Sequence, residues 1–454
     1  MRRTRLRVWG KGLVGAITIS VVAFTAMSAG AAGAAGTKLT PVGGNASGGK
    51  LEQQAAAIAK TKLVGPKGTG LTRGITSSSI SIGCVYSASS FSGYATAIQG
   101  AFDVVNKAGG INGRQVTLVP CKDDAGVVQT NVAEVQQVVS QNQVFAVLSL
   151  SEVILAGSTN YLSTNQVPFY GWGFNPGFCG TRWGFGWNGC LGGNDYPEPI
   201  EAVAGNLAQA ILAATGMKAS SVRFAVQGDS NAAAVLSQGQ YTGLMKALGA
   251  KVVYAQANFP TTPGADVTPY VSAMMASNPN VVYLSTPFAD VGPIAAGLKA
   301  AGYKGAIMDF TNYIPGLLAA APQLAAALQG EYVNTQVVPQ EQNTAYVAQE
   351  KAALVAAGAQ PFLTLGASVG YAEATELIEQ LQAVGKNLNT KTFDQKINGG
   401  TFVSFANVGA GGLGKLKWPA AHYIPSDCAA IAQVSGTNFN VVAPFKCYNS
   451  YKVG

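Results

Sequence analysis

Charged side chains are scarce in this sequence. They make up 11% of the 454 residues, against roughly 25% in an average soluble domain, whereas hydrophobic residues reach 48%. A composition this apolar excludes a disordered chain and supplies enough material for a substantial core. At about 150 residues per domain, the length predicts two or three folding units.

The chain also lacks the positive surface that a nucleic-acid-binding protein needs. The formal net charge is +8, but much of it comes from a cluster at the start of the chain, namely Arg2, Arg3, Arg5, Arg7 and Lys11. Outside this cluster the 21 acidic residues almost balance the basic ones. No basic stripe is left to follow a phosphate backbone, so we expect no nucleic-acid partner.

Metal-binding residues are almost missing. The sequence has a single histidine, His422, and no Cys-x-x-Cys pair, which argues against a metal site. We expect His422 to serve as a structural hydrogen-bonding residue. No cofactor is predicted. Beyond the first 36 residues, no apolar run is long enough to cross a membrane.

The N-terminus has the three parts of a secretory signal peptide. Residues 1–12 are basic, 13–27 are apolar and 28–36 are small. We therefore predict a signal peptide over 1–36 and an extracytoplasmic protein; the alternative is a retained membrane anchor. No cysteine precedes Cys84, which excludes a lipid-modified cysteine at the signal boundary. Residues 37–72, rich in Gly, Lys, Ala and Thr, are predicted to be a flexible tether with a short helix over 51–63.

Six cysteines in an exported chain predict disulfides. Cys84 and Cys121 end successive strand patterns, so their thiols lie side by side if those strands are neighbours in a parallel sheet. The other four cysteines bracket a Gly/Trp-rich loop and the C-terminal segment. The predicted pairs are Cys84–Cys121, Cys179–Cys190 and Cys428–Cys447.

From Ile75 onward, short apolar strands alternate with helices whose apolar residues recur every three or four positions. Strands are predicted around 80–85, 116–119, 144–148, 167–170, 222–226, 251–254, 281–284 and 306–308. Helices are predicted around 98–105, 128–139, 200–214, 232–248, 294–300, 345–357 and 371–384. Because the alternation restarts after residue 199, it predicts two similar α/β units with parallel sheets.

Several stretches of the α/β region form a recognisable pattern: GITSSSISIG (74–83), AFDVVNKAGGINGRQVTLVPCKDD (101–124), FAVLSLSEVILAGSTNYLSTNQVPF (145–169), VVYLSTPFADVGPIAAGLKAAGYKG (281–305) and GYAEATELIEQL (370–381). Together they resemble branched-chain amino-acid-type (Leu/Ile/Val-binding) periplasmic binding proteins of ABC importers. The resemblance implies a type I periplasmic binding protein fold, in which two Rossmann-like lobes with parallel sheets are joined by a three-strand hinge. It places the N-terminal lobe at 73–197 plus 337–397 and the C-terminal lobe at 198–336 plus 398–454.

The resemblance also implies what the protein does. We expect a monomeric binding protein, not an enzyme, that captures a small amino-acid-like or amphipathic solute in the cleft between the lobes by hinge closure. It would deliver that solute to the membrane permease subunits of an ABC importer. The alternative is a ligand-sensing receptor domain of the same fold.

Ligands of open α/β sheets lie beyond the carboxyl ends of the strands, near helix N-termini. In amino-acid-binding members of the family, Ser and Thr hydroxyls hold the carboxylate and an acid of the C-terminal lobe holds the ammonium. Here Glu152 intrudes in the loop after the third strand (149–154), and the loop after the fourth strand (171–175) has no Thr. The acid that matches the one in the C-terminal lobe, Asp309, comes about two positions early. These departures disfavour a free α-amino acid and favour a neutral or amphipathic solute. The predicted ligand-binding residues are Ser92, Gly93, Ser151, Glu152, Trp172, Phe174, Asn175, Asp229, Asn231, Phe288, Phe310 and Asn312.

Three of these features have structural alternatives. The aromatic residues can pack a lobe core instead of a ligand. Glu152 can face the cleft or favour a helix N-terminus through the macrodipole. Trp183 and Trp187, in the loop between Cys179 and Cys190, can rim the cleft, although rigid surface structure is the favoured interpretation.

A serine hydrolase is the remote alternative. Residues 366–370 match the G-x-S-x-G motif around Ser368, and Asp394 and His422 follow in hydrolase order. The competing interpretation is that the serine lies at the start of a helix. Residues 409–414 fit G-x-G-x-x-G, but a strand pattern ending in Pro419 follows instead of a helix, which indicates a glycine-rich turn.

Overall fold

The computed structural model describes residues 40–43, 49–190, 202–204, 206–260, 264–286, 288–406 and 412–452. The predicted signal peptide and its alternative, a retained anchor, lie outside the described residues. Within these ranges, no helix is long and apolar enough to cross a membrane.

The N-terminal segment contains strand β1 (Thr40–Gly43) and helix α1 (Lys50–Lys62). Helix α1 buries Leu51, Ala55 and Ala59 in a small apolar cluster with residues 420–424, and Glu52 forms an ion pair with Lys417 at 2.9 Å. After the helix, the indole Nε1 of Trp183 donates to the carbonyl of Pro66 at 3.0 Å. The described part of the predicted flexible tether is thus packed on the folded body, because its apolar helix face finds a partner far along the chain.

The first lobe alternates strands and helices. Its elements are β2 (Ser79–Tyr86), α2 (Tyr94–Lys107), β3 (Gln115–Leu118), β4 (Lys122–Asp123), α3 (Val128–Ser140), β5 (Ala146–Leu150), α4 (Ala156–Thr164), β6 (Phe169–Gly171) and β7 (Gly184–Gly186). The strands pair in parallel in the order β3-β2-β5-β6-β7, with β4 beside the end of β2. All residues of β5 are buried, as expected for a parallel strand covered on both faces.

The second lobe repeats this pattern. Its elements are β8 (Ala202–Ala204), α5 (Asn206–Thr215), β9 (Arg223–Asp229), α6 (Ala232–Ala247), β10 (Lys251–Phe259), α7 (Thr268–Ala276), β11 (Val281–Ser285), α8 (Phe288–Ala300), β12 (Ala306–Asp309), α9 (Pro315–Ala320), α10 (Pro322–Leu328) and β13 (Tyr332–Thr335). Strands β10-β9-β11-β12-β13 pair in parallel in that order.

Three helices then return to the first lobe, namely α11 (Ala345–Ala356), α12 (Leu365–Val384) and α13 (Thr390–Ile397). Helix α12 crosses α2 so closely that a Cβ at Gly370 would lie 2.5 Å from the carbonyl oxygen of Tyr94. A Cβ at Gly100 would lie 1.9 Å from the carbonyl oxygen of Ala353 in α11. Glycine is therefore required where these helices meet.

The last described strands are β14 (Val403–Ser404), β15 (Leu416–Lys417), β16 (Cys428–Ser435), β17 (Asn438–Cys447) and β18 (Ser450–Lys452). Strands β16 and β17 extend the second sheet with antiparallel pairs beyond β13. The predicted helix over 200–214 is wrong at its start, since β8 is a strand that pairs with β18. That partner is about 250 residues away in the chain, where local periodicity carries no information about it.

The predicted fold class is confirmed: the chain forms two α/β lobes with parallel sheets and passes between them three times. The residue limits of the lobes implied by the resemblance stay a prediction. The three predicted disulfides are also confirmed, as Cys84–Cys121, Cys179–Cys190 and Cys428–Cys447.

Candidate ligand site between the lobes

Aromatic side chains from both lobes meet at the carboxyl ends of the parallel strands. Trp172 follows β6 of the first lobe, and Phe310 follows β12 of the second. The ring of Trp172 lies edge-on to that of Phe310 at 5.5 Å and to that of Phe174 at 4.9 Å between centroids. We call Trp172, Phe174 and Phe310 the aromatic cluster. Because one of its rings belongs to the opposite lobe, the cluster responds to the distance between the lobes.

Trp187 extends the aromatic cluster toward β7. Its ring centroid lies 6.2 Å from that of Trp172, and both Trp187 and Trp183 are buried. The favoured interpretation of these two tryptophans as surface structure is therefore wrong. The sequence signal was ambiguous because strand β7 consists of Gly-Phe-Gly within a glycine-rich loop.

Two buried polar side chains connect the first-lobe loops. Asn175 Nδ2 donates to the carbonyl of Ser151 at 3.0 Å, and the Ser151 hydroxyl accepts from the backbone N–H of Val153 at 3.1 Å. Asn175 Oδ1 has no hydrogen-bond partner among the described residues. These contacts place Asn175, which follows Phe174 in the chain, beside the residue that precedes Glu152.

Sequence reasoning missed a second polar connection at the tryptophans. Gln336, in the segment from β13 to α11, accepts at Oε1 from Asn188 Nδ2 at 2.5 Å and from Trp172 Nε1 at 3.4 Å. Its own Nε2 has no partner in the described part of the chain. Gln336 thus ties a segment that crosses between the lobes to the aromatic cluster. No motif marks it in the sequence.

Three carboxyl groups from the two lobes influence one another. Glu152 is half-buried beyond β5, whereas Asp229, at the end of β9, and Asp290, in the first turn of α8, are buried in the second lobe. Burial, followed by repulsion from Asp229, Asp124 and Asp290, raises the pKa of Glu152 to about 7. Burial also raises the pKa of Asp229 to about 6. We call Glu152, Asp229 and Asp290 the acidic cluster.

The second-lobe loop after β12 is built around Asp309. Its Oδ1 accepts from the backbone N–H groups of Thr311 and Asn312 at 2.6 and 2.8 Å. Burial raises the pKa of the Asp309 carboxyl. The side chain of Asn312 is buried, and it also acts as a hydrogen-bond donor toward the Asp309 carboxyl. Asp309 therefore shapes the loop that carries Phe310.

Among the remaining predicted ligand residues, Asn231 contacts the acidic cluster, because its backbone N–H donates to Asp229 Oδ1 at 2.9 Å. Ser92 is exposed and accepts at its carbonyl from the hydroxyl of Thr364, and Gly93 precedes α2 with φ +83°. Asn231 caps α6 by accepting from the N–H of Ala234 at 2.8 Å. Phe288 begins α8, but its side chain lies outside the described residues.

The three residues of the hydrolase hypothesis do not form a catalytic triad. Ser368 is buried in α12, and its hydroxyl lies near Glu350. Asp394 accepts from Arg182 at 3.0 Å, and His422 contacts the carbonyl of Gly184 and Asn398 Oδ1, each at 2.8 Å. Burial lowers the pKa of His422 to about 3, so this ring is a neutral structural residue. The motif glycines serve helix packing instead of forming a nucleophile elbow.

Neither the described part of the glycine motif nor the described metal-ligand residues form a site. Part of 409–414 lies outside the described residues, and the short strand β15 follows it. Among the described residues, the one cluster with metal-ligand spacing is Asp427, Cys428 and Cys447. Both of its cysteines are bonded to each other in a disulfide, so their sulfur atoms are not thiolate ligands.

Comparison with known proteins identifies the family. A family model described as "Periplasmic binding protein" matches residues 82–438. The chain belongs to this family. Membership in the periplasmic binding protein family implies a small-molecule ligand, the permease of an ABC transporter as partner and a location outside the cytoplasm. A search of curated protein sequences gave no significant match.

Solved structures share the fold at low sequence identity. A fatty acid ABC transporter substrate-binding protein from Thermomonospora curvata has a TM-score of 0.67 at 16% identity, covering 83% of this chain and 95% of its own. A leucine binding protein from Thermotoga maritima has a TM-score of 0.61 at 15% identity, covering 80% and 97%. A solute binding protein from Rhodopseudomonas palustris, in complex with p-hydroxybenzoic acid, has a TM-score of 0.63 at 15% identity, covering 82% and 98%. These are substrate-binding proteins and not enzymes.

Proposed function

We propose that this protein captures a small amphipathic solute in the cleft between its lobes and delivers it to an ABC importer. The observation that carries the proposal is the aromatic cluster, in which Trp172 of one lobe meets Phe310 of the other at 5.5 Å. A solute that touches both lobes favours the closed form by its differential affinity for that form.

Buried polar atoms near the aromatic cluster support an amphipathic ligand over a purely apolar one. Asn175 Oδ1 and Gln336 Nε2 lack partners among the described residues. Buried polar groups are normally hydrogen-bonded. A ligand with an apolar body and polar ends would contact the rings and satisfy these atoms together.

The similar structures bind ligands of several classes, which sets the range of solutes to test. These structures include a fatty acid transporter protein, a leucine binding protein and proteins in complex with valine and benzoate. The departures from the amino-acid-binding pattern at Glu152 and Asp309 weigh against leucine and valine as ligands here. We propose residues Ser151, Trp172, Phe174, Asn175, Phe310 and Asn312 as the contact set.

Thermal unfolding of protein stripped of carried-over ligand tests this proposal. The panel contains branched-chain amino acids, amides, aromatic acids, amines and short fatty acids. A ligand at about 1,000 times its Kd adds roughly 4 kcal/mol to the free energy of unfolding, which raises Tm by several degrees. We expect a shift from an amphipathic member and none from leucine or valine. A shift confined to branched-chain amino acids would contradict the proposed ligand class.

A further inference from the structure

The acidic cluster places negative charge on both sides of the cleft. Glu152 belongs to a first-lobe loop, whereas Asp229 and Asp290 belong to the second lobe. Both second-lobe acids repel the Glu152 carboxylate, and Asp290 also repels Asp229. Because like charges approach one another as the lobes close, this arrangement opposes closure unless a positive charge enters between them.

The protein itself supplies little compensation for these charges. The groups that act on Glu152 are three acids, Asp229, Asp124 and Asp290, and one neutral donor, Ser90. In the described part of the chain, no Lys or Arg side chain contributes to the pKa of Glu152, Asp229 or Asp290. Asp124 has its own partners, since it accepts from Ser87 Oγ at 2.7 Å and from Asn131 Nδ2 at 2.8 Å.

Two unpartnered hydrogen-bonding groups lie next to these acids and point independently to a ligand that donates hydrogen bonds. Asn175 is 1% exposed, and its amide nitrogen is engaged by the carbonyl of Ser151, which leaves Oδ1 as a free acceptor. Thr286 is also 1% exposed and has an unpartnered hydroxyl. It follows β11, whose residue Ser285 pairs with Gly228, so Thr286 lies at the same strand ends as Asp229.

The aromatic cluster adjoins the acidic cluster through Asn175. Asn175 is covalently next to Phe174 and is hydrogen-bonded to the residue before Glu152, so the amide connects the rings to the acid. Aromatic faces attract organic cations as well as apolar groups. Carboxylates, a free amide oxygen and aromatic rings together match an ammonium group carried on an apolar or aromatic body.

We propose that the ligand of this site is an organic cation. Its ammonium group is held between Glu152 and Asp229 and donates to Asn175 Oδ1, while its body lies against Trp172 and Phe310. The solute carries no carboxylate beside the ammonium, because Glu152 occupies the loop that would otherwise receive it. This inference rests on the proposed function and narrows its ligand class from amphipathic to cationic.

Charge-matched compounds test the inference. The probes are phenethylamine, phenethyl alcohol, phenylacetate and phenylalanine, together with hexylamine, hexanol and hexanoate, each measured by thermal unfolding and titration calorimetry at pH 7.5. We expect stabilisation by the amines only. Glu152→Gln and Asp229→Asn should each weaken amine binding at least tenfold. Asp103→Asn is the matched control; Asp103 lies on α2 with Gln99 as its partner, and its removal should leave affinity unchanged.

The outcomes separate this inference from the proposed function. If the alcohols or carboxylates stabilise the protein and the amines do not, the ligand is not a cation, whereas the proposed solute capture still stands. Amine binding that survives both Glu152→Gln and Asp229→Asn would also overturn it. If no compound of this set or of the wider panel stabilises the protein, both proposals are contradicted. Gln and Asn replace the carboxylates at equal size, so weakened folding is not expected to obscure the result.

Discussion

Two groups of acids in this protein lie in different places, one inside the first lobe and the other where the two lobes face each other. Inside the first lobe, Glu373 Oε2 accepts from the hydroxyl of Tyr94 at 2.5 Å, and Glu376 Oε1 accepts from Ser404 Oγ at 2.7 Å. In the cleft, Glu152 meets carboxylates of the opposite lobe. Burial raises the pKa values in both groups, to about 8 for Glu373 and about 7 for Glu152.

The difference lies in what each acid interacts with. A buried acid with a hydroxyl donor on a neighbouring element belongs to the packing of its lobe, and removing it leaves a polar atom without a partner. Glu152 also has a neutral donor, Ser90, but it is repelled by carboxylates of the opposite lobe, so its charge is available to a ligand. Substitutions in the first group should therefore reduce stability, and substitutions in the second should change binding and pH dependence.

The largest expected effect concerns the interior. Glu373→Ala leaves the Tyr94 hydroxyl buried without its acceptor and opens a cavity between α2 and α12. We expect the free energy of unfolding to fall by about 3 kcal/mol. Urea unfolding at pH 7 measures the loss. Glu373→Gln keeps an acceptor oxygen of the same size and should lose much less; equal losses in the two variants would show that the Tyr94 contact contributes nothing.

The next effect concerns the cleft. Trp172→Ala removes the ring that contacts both Phe174 and Phe310. We expect the affinity for the ligand that stabilises the wild type to fall at least tenfold, or about 1.4 kcal/mol, as measured by titration calorimetry. Trp183→Phe is the control, since Trp183 is buried and bonded to Pro66 away from the cluster. Unchanged affinity in Trp172→Ala would remove this residue from the site.

Short-range patterns predicted most of the fold. Most strands of the two parallel sheets and several helix faces follow local periodicity, although β7 and β13 were not predicted. The disulfide pairs follow from cysteines at strand ends or around single segments. The errors arise where the partner is distant in the chain. Strand β8 pairs with β18, and α1 packs on residues 420–424, so neither could be placed from its own residues.

The candidate site was predictable only in part for a related reason. Residues that follow a strand, such as Trp172, Asp229 and Phe310, were predicted because parallel strands direct their loops to one edge of the sheet. Gln336 and Trp187 were missed as site residues. Gln336 lies in a segment between the lobes, and Trp187 lies in a glycine-rich loop, and neither segment has a periodic pattern that would orient its side chains.

The smallest expected effect is the pH dependence that Glu152 adds to stability. Its folded pKa of about 7 exceeds the ordinary value of 4.5, so the unfolded chain releases this proton first as the pH rises. The free energy of unfolding therefore falls between pH 4.5 and about 7 and stays lower above that range.

Glu152→Gln should remove this part of the fall. The ligand-free variant should then be more stable than wild type at pH 8 and closest to it in stability near pH 4.5. Thermal unfolding across this pH range measures the difference. Asp103→Asn, which removes a carboxylate away from the cleft, is the matched control. A Glu152→Gln profile parallel to that of wild type would mean that neither burial nor the acids of the opposite lobe raise the pKa of Glu152 in the folded protein.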